Sequence, residues 1–221
     1  YTYFRNEDPS IAYGQGGYFG VVWEHWAPTN SPYNPQSINT MDIYGRTVKR
    51  SGSSFSLGSV EKICEADNCQ ADPIIVYDSV NNHYIVIWED ARYGQTEYDI
   101  YGAICDSNLN VISEKIICAD SLSQCEPWAA FDPINSQLFI VWEEGVDPGD
   151  GPFKIMGGIY DDNLNSIAQF EVAAPNYYPN EDIDYNFPCV EFNADSERFL
   201  VTWNDGDISD NQWWGDVWGK I

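Results

Sequence analysis

Basic residues are scarce. Ten Lys and Arg stand against 35 Asp and Glu in 221 residues, for a formal net charge of -25. A surface of that sign repels phosphate backbones and excludes nucleic-acid binding. It also repels anionic membranes and acidic polysaccharides unless divalent cations bridge them, leaving cations, positive partners and neutral glycans. His25 and His83 are the only histidines and sit in unlike contexts, which argues against a zinc centre. No run is long and apolar enough to insert in a membrane as a helix. No Gly-x-Ser-x-Gly, phosphate-binding glycine loop, dinucleotide fingerprint, EF-hand spacing or Asn-x-Ser/Thr acceptor occurs. An initiator methionine and a signal peptide are also missing, so the chain reads as a processed or excised piece.

What is present is repetition. Val21-Val22-Trp23-Glu24 returns as Val86-Ile87-Trp88-Glu89, Ile140-Val141-Trp142-Glu143 and Val201-Thr202-Trp203-Asn204. A second echo follows each time: Asp42-Ile43-Tyr44-Gly45, Asp99-Ile100-Tyr101-Gly102, Lys154-Ile155-Met156-Gly157 and Asp216-Val217-Trp218-Gly219. The interval is roughly 55 to 65 residues, the mark of a repeat architecture. Before each unit stands a residue and a proline: Asp8-Pro9, Asp72-Pro73, Glu126-Pro127, Phe187-Pro188.

Short apolar segments separated by Asn, Asp, Gly and Pro clusters, with no helical spacing, predict an all-β chain. Four consecutive antiparallel strands per unit predict a four-bladed β-propeller. The blades run approximately over 6–64, 71–118, 126–173 and 187–221, the last completed by residues 1–5. In this reading the N-terminal strand Tyr1 to Arg5 closes the ring as one domain and removes two open sheet edges. Apolar residues on both faces of Tyr84 to Trp88 suit an inner strand covered on both sides. Lys62, Lys115 and Glu171 alternate as an outer edge would.

Cys64 and Cys118 fall at the ends of fourth strands, and Cys69 and Cys125 just before the next first strands. The repeat-related disulfides Cys64–Cys69 and Cys118–Cys125 are expected from this, and with them an oxidising, extracellular or cell-surface location. Cys105 and Cys189 are expected as buried thiols.

Trp88-Glu89-Asp90-Ala91-Arg92 followed by Asp99-Ile100-Tyr101-Gly102 resembles the secreted and cell-surface propeller repeats of bacteria and archaea that carry Trp-x-Asp-x-Arg and Asp-Ile-Tyr-Gly. Unit two matches best. Unit one has Trp26 where the arginine would stand, and unit three replaces the second aspartate by Lys154. The resemblance implies an exported propeller with a binding or scaffolding role. It transfers no catalytic residues.

Function on loops above a rigid scaffold is the usual arrangement. The long segments all gather on one face, so a site is expected there. Trp26, Tyr33, Tyr93, Tyr98, Tyr178, Trp213 and Trp214 are the candidate ligand-binding rings, flat surfaces on which sugars stack. Asp42, Glu89, Asp90, Asp99 and Asp216 are candidate oxygen ligands for calcium; no other cofactor is indicated. The leading expectation is a non-enzymatic extracellular binding or adhesion module for a glycan or protein partner. A structural subunit of a homo-oligomeric filament or surface layer is the alternative. A glycoside hydrolase is the second alternative, since two acids beside a scissile bond suffice. Against it, the acids sit at repeated, scaffold-like positions and only Glu191 breaks the repeat.

Overall fold

Asp78, Asp132 and Asn193 close the same hairpin three times. Each side-chain oxygen accepts the backbone N–H groups two and three residues on, as Asp78 does from Val80 at 2.8 Å and Asn81 at 3.0 Å. The chain then turns through a left-handed residue, Asn82, Ser136 or Glu197. Asp106 and Asp161 close the second hairpin of their units in a related way, through Leu109 and Leu164. Asn and Asp favour such turns because their short side chains bond the neighbouring backbone.

These turns join antiparallel strands into four sheets. The computed structural model describes residues 5–26, 41–94, 97–145, 153–175, 183–207 and 216–221. Sheet one holds β1 (Arg5–Tyr13), β2 (Tyr18–Trp26), β3 (Met41–Ser51) and β4 (Ser54–Cys64) in sequence order. Sheet two holds β5 (Gln70–Asp78), β6 (His83–Asp90), β7 (Asp99–Cys105) and β8 (Val111–Cys118). Sheet three holds β9 (Ser123–Asp132), β10 (Gln137–Gly145), β11 (Lys154–Asp161) and β12 (Ser166–Ala173). Sheet four has β13 (Ile183–Asn193), β14 (Arg198–Asp207) and β15 (Val217–Lys220) among the described residues. The described residues contain no α-helix, and no helix is long and apolar enough to cross a membrane.

Sheets one to four pack in succession as propeller blades do, and three apolar clusters fill the spaces between them. The repeated tryptophans supply much of this packing. Trp88 and Trp142 are fully buried and Trp203 is nearly so. The second-echo glycines keep the third strand close to its neighbours: a Cβ on Gly102 would lie 2.7 Å from Ile87 Cδ1. Outer strands β8 and β12 are largely exposed, as their mixed sequences require.

The Trp-x-Asp-x-Arg element of unit two is a packing device. Buried Asp90 accepts Trp88 Nε1 at 2.9 Å and Arg92 Nε and Nη2 at 2.9 and 2.6 Å. The guanidinium then lies 3.9 Å over the Tyr101 ring. In unit three Glu144 replaces the aspartate and pairs with Lys154 at 2.8 Å. Glu144 Oε2 and Trp142 Nε1 there lack a protein partner.

Arg5 pairs with Trp26 as the first residue of β1, and Tyr1 to Phe4, the rest of the strand expected to close the ring, lie outside the described residues. The disulfide expectation is corrected. The four sulfurs expected in disulfides are free thiols turned to other partners. Arg92 Nη2 lies 3.3 Å from Cys64 Sγ, and the Tyr98 hydroxyl donates to Cys69. Cys118 faces Asp120 and Glu144, and Cys125 faces Glu143. Cys105 is buried as expected, but Cys189 is exposed.

Candidate active site

The innermost strand of every sheet carries the same irregularity. Pairing slips between Glu7 and Ser10 in β1, between Ala71 and Ile74 in β5, and between Asn186 and Cys189 in β13. In β9 it slips opposite Val141 and Glu143, at Glu126-Pro127. Proline has no N–H for the ladder, so a bulge is where an inner strand tolerates it. The residue before each proline is left-handed: Asp8 at φ 45°, Asp72 at 47°, Glu126 at 50° and Phe187 at 53°. Non-glycine residues held there are strained, and such strain gathers at functional sites.

A carboxylate from the preceding sheet holds each of the last three bulges. Glu24 Oε1 accepts the Asp72 N–H at 2.8 Å, Glu89 Oε1 that of Glu126 at 2.5 Å, and Glu143 Oε1 that of Phe187 at 2.5 Å. These three glutamates end the Trp-Glu echo and are 4 to 5 % exposed. Asn204, their counterpart in sheet four, is exposed.

The clamps draw the bulge acids of successive sheets together. Asp8, Glu24 and Asp72 present oxygens within 4.8 Å of one another, and so do Asp72, Glu89 and Glu126. Asp72 is common to both groups and so lies between Asp8 and Glu126. Burial, and then the charges of Asp72 and Asp8, push the Glu126 carboxyl up to about 7. Burial likewise lifts Glu24 to about 7 and Glu89 well above the usual carboxylate range. Burial, then Asp8, raises Asp72. Asp8 is exposed. Among the described residues, no ion pair to Lys or Arg reaches Asp8, Asp72, Glu89 or Glu126. A cluster that mixes raised and exposed carboxyls is suited to acid–base chemistry.

The sequence-based candidates are distributed unevenly around this cluster. Glu89 belongs to it, as a backbone clamp. Asp90 is committed to Trp88 and Arg92. Asp42, Asp99 and Asp216 stand at the starts of their third strands, beside His25, Asp90 and Asp205 respectively, and do not join it. Tyr98 is half-buried beside Cys69, within the electrostatic reach of Glu89 and Asp72. Tyr93 is 82 % exposed, and Trp26 lies under Arg5 with 5.2 Å from guanidinium to ring. Tyr33, Tyr178, Trp213 and Trp214 lie outside the described residues. Glu191 is exposed on β13, opposite Leu200. Sequence reasoning passed over Asp8, Asp72 and Glu126 as turn residues. Their shared signal was an acid immediately before proline in three of four units.

No protein-family model matches the chain, and no curated protein sequence matches it. Solved structures do share its fold. It is similar to an α-L-arabinofuranosidase from Lactobacillus brevis (TM-score 0.60, 9 % identity), covering 96 % of this chain and 71 % of that one. It is also similar to an α-L-arabinanase from Penicillium chrysogenum complexed with arabinobiose (TM-score 0.57, 13 % identity), covering 99 % of this chain and 62 % of that one. A β-1,2-mannobiose phosphorylase from Listeria innocua matches at TM-score 0.56 and 9 % identity, over 97 % of this chain and 72 % of that one. At such identities the likeness establishes the fold. The findings correct the expectation of a non-enzymatic adhesion module that meets a glycan or protein partner at a cell surface. The arabinofuranosidase, the arabinanase and the phosphorylase that share this architecture are enzymes of carbohydrate chemistry, and among the described residues the inner strands bring together carboxyls.

Proposed function

We propose that the chain is a glycoside hydrolase in which Asp8, Asp72 and Glu126 carry the reaction. One observation supports this reading above all: three acids at the same strained bulge of three successive blades belong to two carboxyl groups that share Asp72. Glu126, neutral up to about 7, holds a proton for the leaving-group oxygen. Asp8, the exposed member, takes the proton of the attacking water. Asp72, between them, raises Glu126 by its charge and so keeps that proton in place. As the anomeric C–O bond breaks, the proton of Glu126 passes to the departing alcohol, and water supplies the new bond. The acidic surroundings repel phosphate, which favours water over phosphorolysis as the acceptor.

The test is turnover of p-nitrophenyl α-L-arabinofuranoside, β-D-xyloside and β-D-mannoside. Glu126→Gln is expected to lower kcat by about 10²- to 10⁴-fold. Much of that loss should vanish on 2,4-dinitrophenyl glycosides, whose leaving group needs no acid. A wild-type chain inert toward the whole set, or a Glu126→Gln variant as active as wild type, refutes the reading.

A further inference from the structure

The fourth bulge breaks the acidic series. Phe187 occupies the position that Asp8, Asp72 and Glu126 hold in the other sheets, with the same left-handed backbone (φ 53°) and the same kind of clamp from the preceding sheet. Its clamp Glu143 approaches Cys125, the residue next to Glu126, with Oε2 4.0 Å from the thiol. A phenyl ring at this place is unusual on two physical grounds. It is 54 % exposed although it lies on an innermost strand, and its backbone is one that a bulky side chain disfavours. The Glu143 bond is made by the Phe187 backbone N–H, so the bulge and its clamp do not themselves call for a ring. Strain maintained without a packing return is the pattern of a residue kept for contact with a ligand.

We infer that Phe187 is the sugar-stacking residue of the site, its ring receiving the C–H face of a neutral pyranose or furanose whose glycosidic oxygen lies at Glu126. The inference rests on the hydrolase reading and adds a substrate-binding role to it. Neutrality of the sugar follows from the carboxyls around it, which repel a uronate. The strain predicts an unusual pair of effects: removing the ring weakens sugar binding while leaving the fold as stable, or more so.

The experiment titrates arabinobiose, cellobiose and β-1,2-mannobiose calorimetrically into a Glu126→Gln chain, which binds without consuming them. The same titrations are repeated with Phe187→Gly and Phe187→Tyr added. Phe187→Gly is expected to weaken Kd by about tenfold or more, with a Tm equal to or above that of its parent because glycine adopts positive φ freely. Phe187→Tyr is expected to bind within about threefold of the parent. Phe55→Ala, on the exposed outer strand β4, serves as the control for loss of a surface ring. Equal Kd values for parent and Phe187→Gly overturn the inference and leave the hydrolase reading standing. A Tm lowered in Phe187→Gly overturns it also, by making the ring structural. A parent that binds none of the three sugars overturns it as well, and p-nitrophenol release by the wild-type chain then decides the hydrolase reading separately.

Discussion

At the scale of single residues, the same motif does different work in adjacent blades. Asp90 is fully buried and takes three hydrogen bonds from two side chains, so removing it leaves the 16 % exposed Arg92 guanidinium with Glu114, 2.8 Å from Nη1, as its remaining carboxylate partner. Asp90→Ala is therefore expected to destabilise by about 3–5 kcal/mol in chemical denaturation, the range for breaking a buried pair. A loss below about 1 kcal/mol would mean that water replaces the carboxylate. Glu126 makes a separate prediction. A general acid must be protonated, and its carboxyl is pushed up to about 7, so kcat is expected to fall as pH rises through that value. A rate constant flat between pH 6 and 9 would remove Glu126 from the acid role. The repeated tryptophans were legible because they recur at the end of an apolar strand, whereas Asp90, expected as an oxygen ligand for calcium, is held by Trp88 and Arg92. The acids before proline recur too, and recurrence alone does not set them apart from turn acids. What separates them is the convergence of three inner strands, a property of three dimensions.

At the scale of elements, the working unit is a bulged inner strand held by the glutamate that ends the neighbouring blade's second strand. Without that carboxylate, the bulge N–H is buried and unpaired, which costs about 1–3 kcal/mol. Alanine at Glu24, Glu89 or Glu143 should therefore each lower the unfolding free energy by about that amount. Asn204→Ala should stay within about 0.5 kcal/mol, since Asn204 is exposed. Glu89→Gln keeps an acceptor for the Glu126 N–H and should recover most of the loss. Equal costs at all four positions, read from urea midpoints, would show that the clamp has no special role. The strand content of each blade was readable because apolar runs, Asn-Asp turns and Trp-Glu ends agree with one another. Proline before the first strand was readable as a boundary. That the strand begins before the proline and bulges around it was not, because proline within an inner strand argues against pairing until a bulge is allowed. The disulfide expectation failed for a related reason: equivalent places in a repeat fix where a cysteine lies along a strand, not which way its sulfur turns.

At the scale of the whole molecule, charge and burial act together on stability. Glu24 and Glu126 are raised from 4.5 to about 7, chiefly by burial, so the folded state binds more protons than the unfolded chain between those values. Their contribution is fully present below about 4.5 and is lost as pH rises through about 7. The net charge of -25 acts in the same direction, because protonation relieves self-repulsion. Two other carboxyls oppose this in acid. Hydrogen bonds from Asn110 and Asn108 hold Asp106 low, and those from Asn165 and Asn163 hold Asp161 low, so their contribution disappears as pH falls through their own lowered values. Stability should therefore peak in mild acid. Calorimetry in low salt is expected to give a Tm about 4–8 °C higher at pH 5.5 than at pH 8, corresponding to about 2 kcal/mol for a chain of this size. Raising NaCl to 0.5 M at pH 8 should recover only part of the difference, since salt screens surface repulsion but not the desolvation of buried carboxyls. Complete recovery by salt would assign the effect to surface charge alone. A Tm higher at pH 8 than at pH 5.5 would refute the protonated inner carboxyls on which the acid role of Glu126 depends.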